Sequence, residues 1–177
     1  NVSGTTGKLF ASLGGGYFRD DGISAAASGN ERDGYRNYGV NGRVELAMTD
    51  NITLDLRGYF SKGKLDLDGF PAPTYNFADT TEYSNAQQLT GYAGIRAVFA
   101  DGSFHNNLAL TVSDINRDNY NPAFGPAPSF LARRRSERIA FQGDWTISTI
   151  VRTVFGAEHE RSRFTDGFSP AKTNVSS

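Results

Sequence analysis

The sequence predicts an all-β fold of about seven antiparallel, up-and-down strands that belong to a transmembrane β-barrel. Three observations favour this fold. Apolar and polar side chains alternate along segments of about 12 to 14 residues, longer than the 9–11 residues with which a tilted strand crosses a bilayer. Short and long connections follow one another in strict alternation, as periplasmic turns and extracellular loops do in outer-membrane barrels. Aromatic residues lie near the strand ends.

The clearest segment spans residues 38–64 and reads as two strands joined by a turn at residues 49–51. Successive strand side chains point to opposite faces, so the alternation separates an apolar face from a charged one. The apolar face holds Val40, Gly42, Val44, Leu46, Met48, Ile52, Leu54, Leu56, Gly58 and Phe60. The other face holds Asn41, Arg43, Glu45, Asp55, Arg57 and Tyr59. We expect the apolar face to meet lipid and the charged face to line the barrel interior.

The same alternation predicts five further strands, at residues 7–18, 87–99, 104–115, 137–148 and 150–164. Polar segments rich in glycine or proline predict long loops at residues 19–34, 62–85 and 116–136, and a polar end at residues 165–177. The first loop includes a short candidate extended segment at residues 23–26. Prolines and an Asp-Gly-Phe turn argue against a buried strand in the second loop.

Composition excludes several classes of protein. With 18 Lys and Arg against 19 Asp and Glu, and only one short basic cluster at residues 133–135, the chain does not resemble a nucleic-acid-binding protein. The absence of cysteine excludes disulfides and thiolate chemistry. No continuous apolar run approaches the roughly 20 residues of a transmembrane helix, and no signal-peptide pattern begins the sequence.

A soluble β-sandwich or lipocalin-like barrel would also have one apolar face. The membrane interpretation is favoured because small residues occupy positions of the apolar face that a packed core would fill with large side chains. They are Gly42, Gly58, Gly91, Ala93 and Gly143. Aromatic residues also mark two rims, Phe99, Phe104 and Trp145 at one end of the strands and Tyr17, Tyr38 and Phe60 at the other.

Residues 17–70, which begin YFRDDG, resemble the early barrel strands of TonB-dependent outer-membrane receptors, especially those for vitamin B12 (cobalamin). The segment FGAEHERSRF at residues 155–164 is similar to a recurring strand of that family. The resemblance implies a bacterial outer-membrane location and a 22-stranded barrel filled by an N-terminal plug. It also implies import of a scarce ligand, cobalamin or a ferric siderophore. The implied partners are the lipid bilayer, the rest of the barrel, the plug, the small-molecule ligand and, through the plug, TonB.

We expect residues 1–177 to be a partial barrel domain without the plug, because an odd number of strands leaves two edges unpaired and lipid does not tolerate open edges. Two alternatives stay open. One is a small complete barrel of about eight strands, acting as a passive pore or an adhesin, and the other is a soluble β-sandwich binding module. A plug encoded upstream in the same gene would favour the receptor over the small barrel. A protein that is a soluble monomer without detergent would favour the sandwich.

No catalytic constellation is present in the sequence, so we expect no enzyme activity. The two histidines, His105 and His159, fit structural or interfacial positions better than catalytic ones. The charged pairs of the polar face, Arg43 with Glu45 and Asp55 with Arg57, are expected to pair across strands.

Acidic loop residues give one candidate cofactor, calcium. Asp66 and Asp68 are two residues apart and therefore point the same way, and Asp33 lies on the preceding loop. Carboxylates are the hard oxygen ligands that Ca²⁺ prefers, and the resemblance to cobalamin receptors implies calcium bound by loop aspartates. The alternative is that these are solvated turn residues, because Asp-Gly is a common turn pair.

Overall fold

The computed structural model describes residues 1–27 and 29–168 together with the backbone of residues 173–176. These residues form one antiparallel sheet in which each strand pairs with its neighbours in sequence, in the order β1 to β9. The strands are β1 (Val2–Thr6), β2 (Leu9–Asp20), β3 (Tyr35–Ala47), β4 (Ile52–Gly69), β5 (Ala78–Phe99), β6 (Phe104–Tyr120), β7 (Pro128–Thr146), β8 (Arg152–Asp166) and β9 (Thr173–Ser176). The prediction of an all-β, up-and-down fold is confirmed: the seven predicted strands correspond to β2–β8, and two short strands flank them.

Short turns and longer connections alternate between the two ends of the sheet. Residues 7–8, 48–51, 100–103 and 147–151 form the short turns, and residues 21–34, 70–77 and 121–127 form longer connections at the opposite end. The turn at Ala100–Gly102 has positive φ angles at Ala100, Asp101 and Gly102. We call the two ends of the sheet the turn end and the loop end.

Two of the predicted loops were too long. The segment 62–85 contains the end of β4 and the start of β5, and the segment 116–136 contains the end of β6 and the start of β7. On β4 the face of Phe60 continues with Lys62, Lys64 and Asp66, and the apolar Leu65 and Leu67 lie on the opposite face. The alternation that marks the other strands therefore does not continue in register and does not reveal this extension. The prolines fit the observed boundaries, since Pro71, Pro73, Pro122 and Pro126 lie outside strands and Pro128 begins one.

The chain ends also differ from the prediction. Residues 23–26 are not a strand. The predicted polar end, residues 165–177, includes the last residues of β8 and all of β9, while residues 169–172 and Ser177 lie outside the described part of the chain.

The strand register confirms the assignment of the two faces. Val44, Leu56, Ala93, Leu110 and Ile139 occupy one continuous row of cross-strand partners from β3 to β7. The neighbouring row, on the opposite face, contains Arg43, Arg57, Tyr92, Thr111 and Arg138. Since cross-strand partners point to the same side of a sheet, apolar and polar side chains are separated from β3 to β7.

The burial of this sheet differs from that of a soluble sheet, whose apolar face is covered. The apolar row is open to the surroundings, with Leu56 40%, Leu110 48% and Ile139 49% exposed. Among the described residues only two hydrophobic side chains are buried, Ala26 and Ala109, whereas Asp55 on the charged face is 1% exposed. Arg57 on the charged face is exposed as well, so the described residues of this sheet enclose no packed apolar core on either side. No helix in residues 1–27 and 29–168 is long and apolar enough to span a membrane.

Candidate functional site

The charged face of β3, β4 and β5 carries a network of five ionised side chains. The register places Arg43 opposite Arg57 and Glu45 opposite Asp55, so each directly opposed pair has like charges. Like charges in that arrangement repel, and the side chains resolve the conflict along diagonals. The ion pair that crosses from β3 to β4 joins Arg43 to Asp55, with Arg43 Nη2 3.1 Å from Asp55 Oδ2.

The remaining contacts close the network. Arg57 Nη2 lies 2.5 Å from Asp55 Oδ2, and Arg43 Nη2 lies 2.8 Å from Glu45 Oε1. Arg96 reaches from β5 to form an ion pair with Glu45. The Arg57 guanidinium also stacks on Tyr92, 4.9 Å from the ring centre. Three arginines thus share two carboxylates, which leaves one excess positive charge in this network.

The turn end of the same face forms an open polar cleft of about 450 Å³. Polar side chains that line it are Thr53, Arg96, His105, Asn107, Gln142 and Asp144. Asp144 is held by an ion pair with Arg152 on β8, and Asn107 Oδ1 is buried without a hydrogen-bond partner in the described structure. Such a surface offers hydrogen bonds to a polar partner on the charged side of the sheet.

At the loop end, three carboxylates fasten the connection between β2 and β3. Asp79 accepts hydrogen bonds from the backbone N–H of Asn30 (2.6 Å) and Glu31 (3.1 Å) and from the hydroxyl of Ser24 (2.9 Å). Asp33 Oδ2 accepts one from the N–H of Ala25 at 2.6 Å.

The third carboxylate, Asp68, joins the same connection to the start of β5. Its Oδ2 accepts a hydrogen bond from the N–H of Ala26 at 2.8 Å, and its Oδ1 accepts one from the N–H of Thr80 at 3.3 Å. We call Asp33, Asp68 and Asp79 the aspartate clasp. Together they accept hydrogen bonds from backbone N–H groups of the β2–β3 connection, whose described residues are not paired in a strand ladder.

The three predicted calcium ligands are only partly brought together. Asp33 and Asp68 bind adjacent N–H groups, of Ala25 and Ala26, whereas Asp66 forms an ion pair with Lys64 at 2.6 Å. No group of three or more His, Cys, Asp or Glu in the described part of the chain is arranged to hold a metal ion. Calcium binding stays a prediction.

Asp79 was not singled out from the sequence, because its segment reads as loop. The one sequence signal near its partners is Gly29, where a Cβ atom would overlap the Asp79 carboxylate and the Ser24 hydroxyl. The hydrogen bond from the Glu31 N–H lowers the pKa of Asp79 below its ordinary value; desolvation opposes the shift, and the bonds from Asn30 and Ser24 add to the lowering.

Comparison with known proteins shows the fold of the chain. No protein-family model matches the sequence, and no curated protein matches it. Among solved structures, the chain is similar to BauA, the ferric preacinetobactin receptor from Acinetobacter baumannii, with a TM-score of 0.65 and 14% identity. The alignment covers 96% of this chain and 33% of BauA. The chain therefore has the fold of a segment about one third of that receptor's length.

Proposed function

We propose that this chain forms part of the barrel wall of a bacterial outer-membrane receptor that imports a scarce ligand in a TonB-dependent manner. The observation that carries the proposal is the exposed apolar face of the sheet. The opposite, charged face holds ion pairs around the buried Asp55, as in a wall with lipid outside and a polar interior.

Strand dimensions support a membrane-crossing wall. From Ile52 to Lys62, which faces Tyr38, ten residues at about 3.3 Å each span roughly 33 Å along β4, or about 25 Å of depth at the usual tilt. Aromatic clusters lie at both ends of this span. Phe104 packs 5.9 Å from Trp145 at the turn end, and Tyr38 packs 6.3 Å from Phe60 at the loop end, measured between ring centres. Aromatic belts of this kind mark the two membrane interfaces.

The polar face supports a filled interior. The Arg43–Asp55–Arg57 network and the cleft beside His105 present fixed charges and hydrogen-bonding groups towards the inside of the proposed barrel. In the intact receptor these groups would contact the plug, through which TonB supplies energy. The resemblance of residues 17–70 to the family, rather than any feature of the wall itself, is the ground for proposing TonB as a partner.

The ligand we favour is a ferric chelate, because the structurally similar receptor is one for a ferric ligand. Cobalamin, which the sequence resemblance favours, is the alternative. In either case the protein transports its ligand and does not transform it, so we propose no enzyme activity. Calcium at Asp33, Asp66 and Asp68 is part of the cobalamin alternative. It is tested by adding calcium to the receptor and measuring hydrogen-exchange protection of residues 21–34, which would not change if calcium does not bind.

Ligand uptake tests the proposed function. The complete gene is expressed in Gram-negative cells that lack their own ferric and cobalamin receptors, and uptake of radiolabelled ferric siderophores and of cobalamin is measured with and without TonB. The proposal requires uptake of at least one ligand that saturates with concentration and disappears in cells without TonB. Uptake that does not depend on TonB would instead indicate a passive pore, and a monomer recovered from the soluble fraction would indicate a soluble binding module.

A further inference from the structure

The outward face of the sheet changes from apolar to cationic just beyond the aromatic row at the loop end. In that row Tyr17 lies opposite Tyr38, and Tyr38 lies opposite Lys62. Two residues further along each strand, on the same face, Arg19 lies opposite Arg36, and Arg36 lies opposite Lys64. All of these side chains share the face of Val40 and Phe60. We call Arg19, Arg36, Lys62 and Lys64 the cationic rim.

The rim has too few carboxylates for its charge. Arg19 pairs with Asp21 at 2.8 Å, and Lys64 pairs with Asp66 at 2.6 Å. Arg36 and Lys62 are exposed and form no ion pair with any described residue. Directly opposed like charges on neighbouring strands repel, so three cations in one row on β2, β3 and β4 favour an anion that contacts several of them at once.

Three of the four rim side chains, Arg36, Lys62 and Lys64, also line a groove of about 520 Å³. Its lining includes Tyr17, Arg36, Tyr38, Lys62, Lys64 and Tyr83. The Lys64 ammonium lies over the Tyr83 ring, 4.3 Å from its centre, which holds one cation at the groove wall. Phosphate oxygens suit this set, because guanidinium and ammonium groups donate to them and tyrosine hydroxyls can donate as well.

We propose that the cationic rim binds the phosphorylated headgroup of a lipid in the leaflet that surrounds the loop end of the barrel. The inference rests on the proposed function, since it needs the apolar face to meet lipid. The groove opens directly onto that face, where Val40 and Phe60 lie two residues nearer the turn end than Tyr38 and Lys62. An amphipathic anion can therefore place its phosphate among the cations and its acyl chains along the apolar side chains, which a free anion cannot do.

Lipid retention tests the inference. The receptor is reconstituted in phosphatidylcholine nanodiscs that contain a diphosphorylated glucosamine lipid, and the affinity for that lipid is measured by native mass spectrometry across a lipid titration. The variant is Arg36→Gln with Lys62→Gln. The matched control is Arg117→Gln with Arg134→Gln, which removes two exposed cations from the opposite face at the same end of the sheet.

Each Lys or Arg near an anionic membrane surface strengthens attraction by roughly fivefold. The rim variant is therefore expected to bind the phosphorylated lipid about 30-fold more weakly, and the control about as well as the unchanged protein. Equal affinity in the rim variant, or equal binding of the dephosphorylated lipid, overturns the inference. Loss of the bound lipid to inorganic phosphate at the same concentration also overturns it, because a free anion would then be the ligand.

A second readout separates this inference from the proposed function. A fluorophore on Leu56→Cys, in the apolar row, is quenched by lipid-chain quenchers if the apolar face meets lipid. Quenching without a preference for the phosphorylated lipid removes only the cationic-rim inference. Absence of quenching removes the proposed function and the inference together.

Discussion

Asp55 shows how the polar face is held together. The alternation in the sequence places Asp55 on the charged face. It does not reveal that two arginines and two acidic residues lie directly opposite each other across β3 and β4. That arrangement depends on the strand register, which shifts with the turn and is not readable from the alternation alone. With Asp55 almost fully buried between Arg43 and Arg57, its carboxylate is the group that keeps two opposed guanidinium groups in place.

Replacing Asp55 by Asn is expected to destabilise the folded protein by about 2 kcal/mol, since removing one member of a buried ion pair leaves the others uncompensated and both arginines are only partly buried. The measurement is the free energy of unfolding in urea, with the protein in lipid vesicles. The control is Asp50→Asn at the turn end, where the ion pair with Lys8 is exposed at 3.5 Å, and a change of less than about 0.5 kcal/mol is expected. Equal losses in the two variants would show that Asp55 has no special role.

The aspartate clasp gives a prediction for pH. The pKa of Asp79 is lowered in the folded protein, so its stabilising effect on the loop is complete above the ordinary carboxyl pKa of about 3.9 and is lost as pH falls through the lowered value. Hydrogen-exchange protection of the Asn30 and Glu31 amides is therefore expected to fall in that acidic range.

The Asp79→Asn variant separates the clasp from general acid effects. It is expected to have low protection of Asn30 and Glu31 already at neutral pH and no further loss on acidification through this range. Asp101→Asn, in the turn at Ala100–Gly102, is the matched control and should behave like the unchanged protein. Full protection of both amides in Asp79→Asn would contradict the role assigned to this carboxylate.

Seven of the nine strands in the described part of the chain were predicted, but their lengths were not. β4 and β5 pair from Ile52 opposite Ala97 to Gly69 opposite Ala78, well past the last apolar position of the alternation. Beyond the apolar band the backbone ladder continues because both faces can be solvated, so the side-chain pattern carries no information about where pairing ends. The candidate site at the loop end was partly predicted for the same reason: Asp33 and Asp68 were identified, whereas Asp79 was hidden in a segment taken for loop.

Close approach of β7 and β8 gives a prediction about a glycine. A Cβ atom at Gly156 would lie 2.7 Å from the carbonyl oxygen of Phe141, and a backbone atom cannot turn aside as a side-chain tip can. Gly156→Ala is expected to lower the free energy of unfolding by about 1 to 3 kcal/mol.

The matched control for Gly156 is Gly91→Ala on β5, where a Cβ atom meets nothing within 4 Å. There the substitution is expected to be neutral or to stabilise by about 0.5 kcal/mol, because alanine loses less backbone freedom than glycine. If the two variants unfold at the same urea concentration, the strand spacing at Gly156 is looser than the structure describes.

Three independent features of the sequence agree on the orientation that we propose for the whole sheet, with its apolar face towards lipid. The apolar face contains many glycine and alanine residues, aromatic residues lie near both ends of the strands, and short and long connections alternate. The structure adds that ion pairs hold the buried Asp55 on the charged face, while Leu56 and Ile139 on the apolar face are left exposed. The ligand could not be predicted, because a wall of alternating strands is shared by receptors for different ligands.

Lipid exposure of alternate residues tests the orientation of the sheet most directly. The chain has no cysteine, so single cysteines at Val44 and Leu56 on the apolar face, and at Arg43 and Arg57 on the charged face, can be labelled in the receptor in lipid vesicles. Quenching by lipid-chain quenchers is expected at positions 44 and 56 only, with a strict two-residue period. Quenching at 43 and 57 instead, or equally at all four positions, would contradict a wall with its apolar face towards lipid.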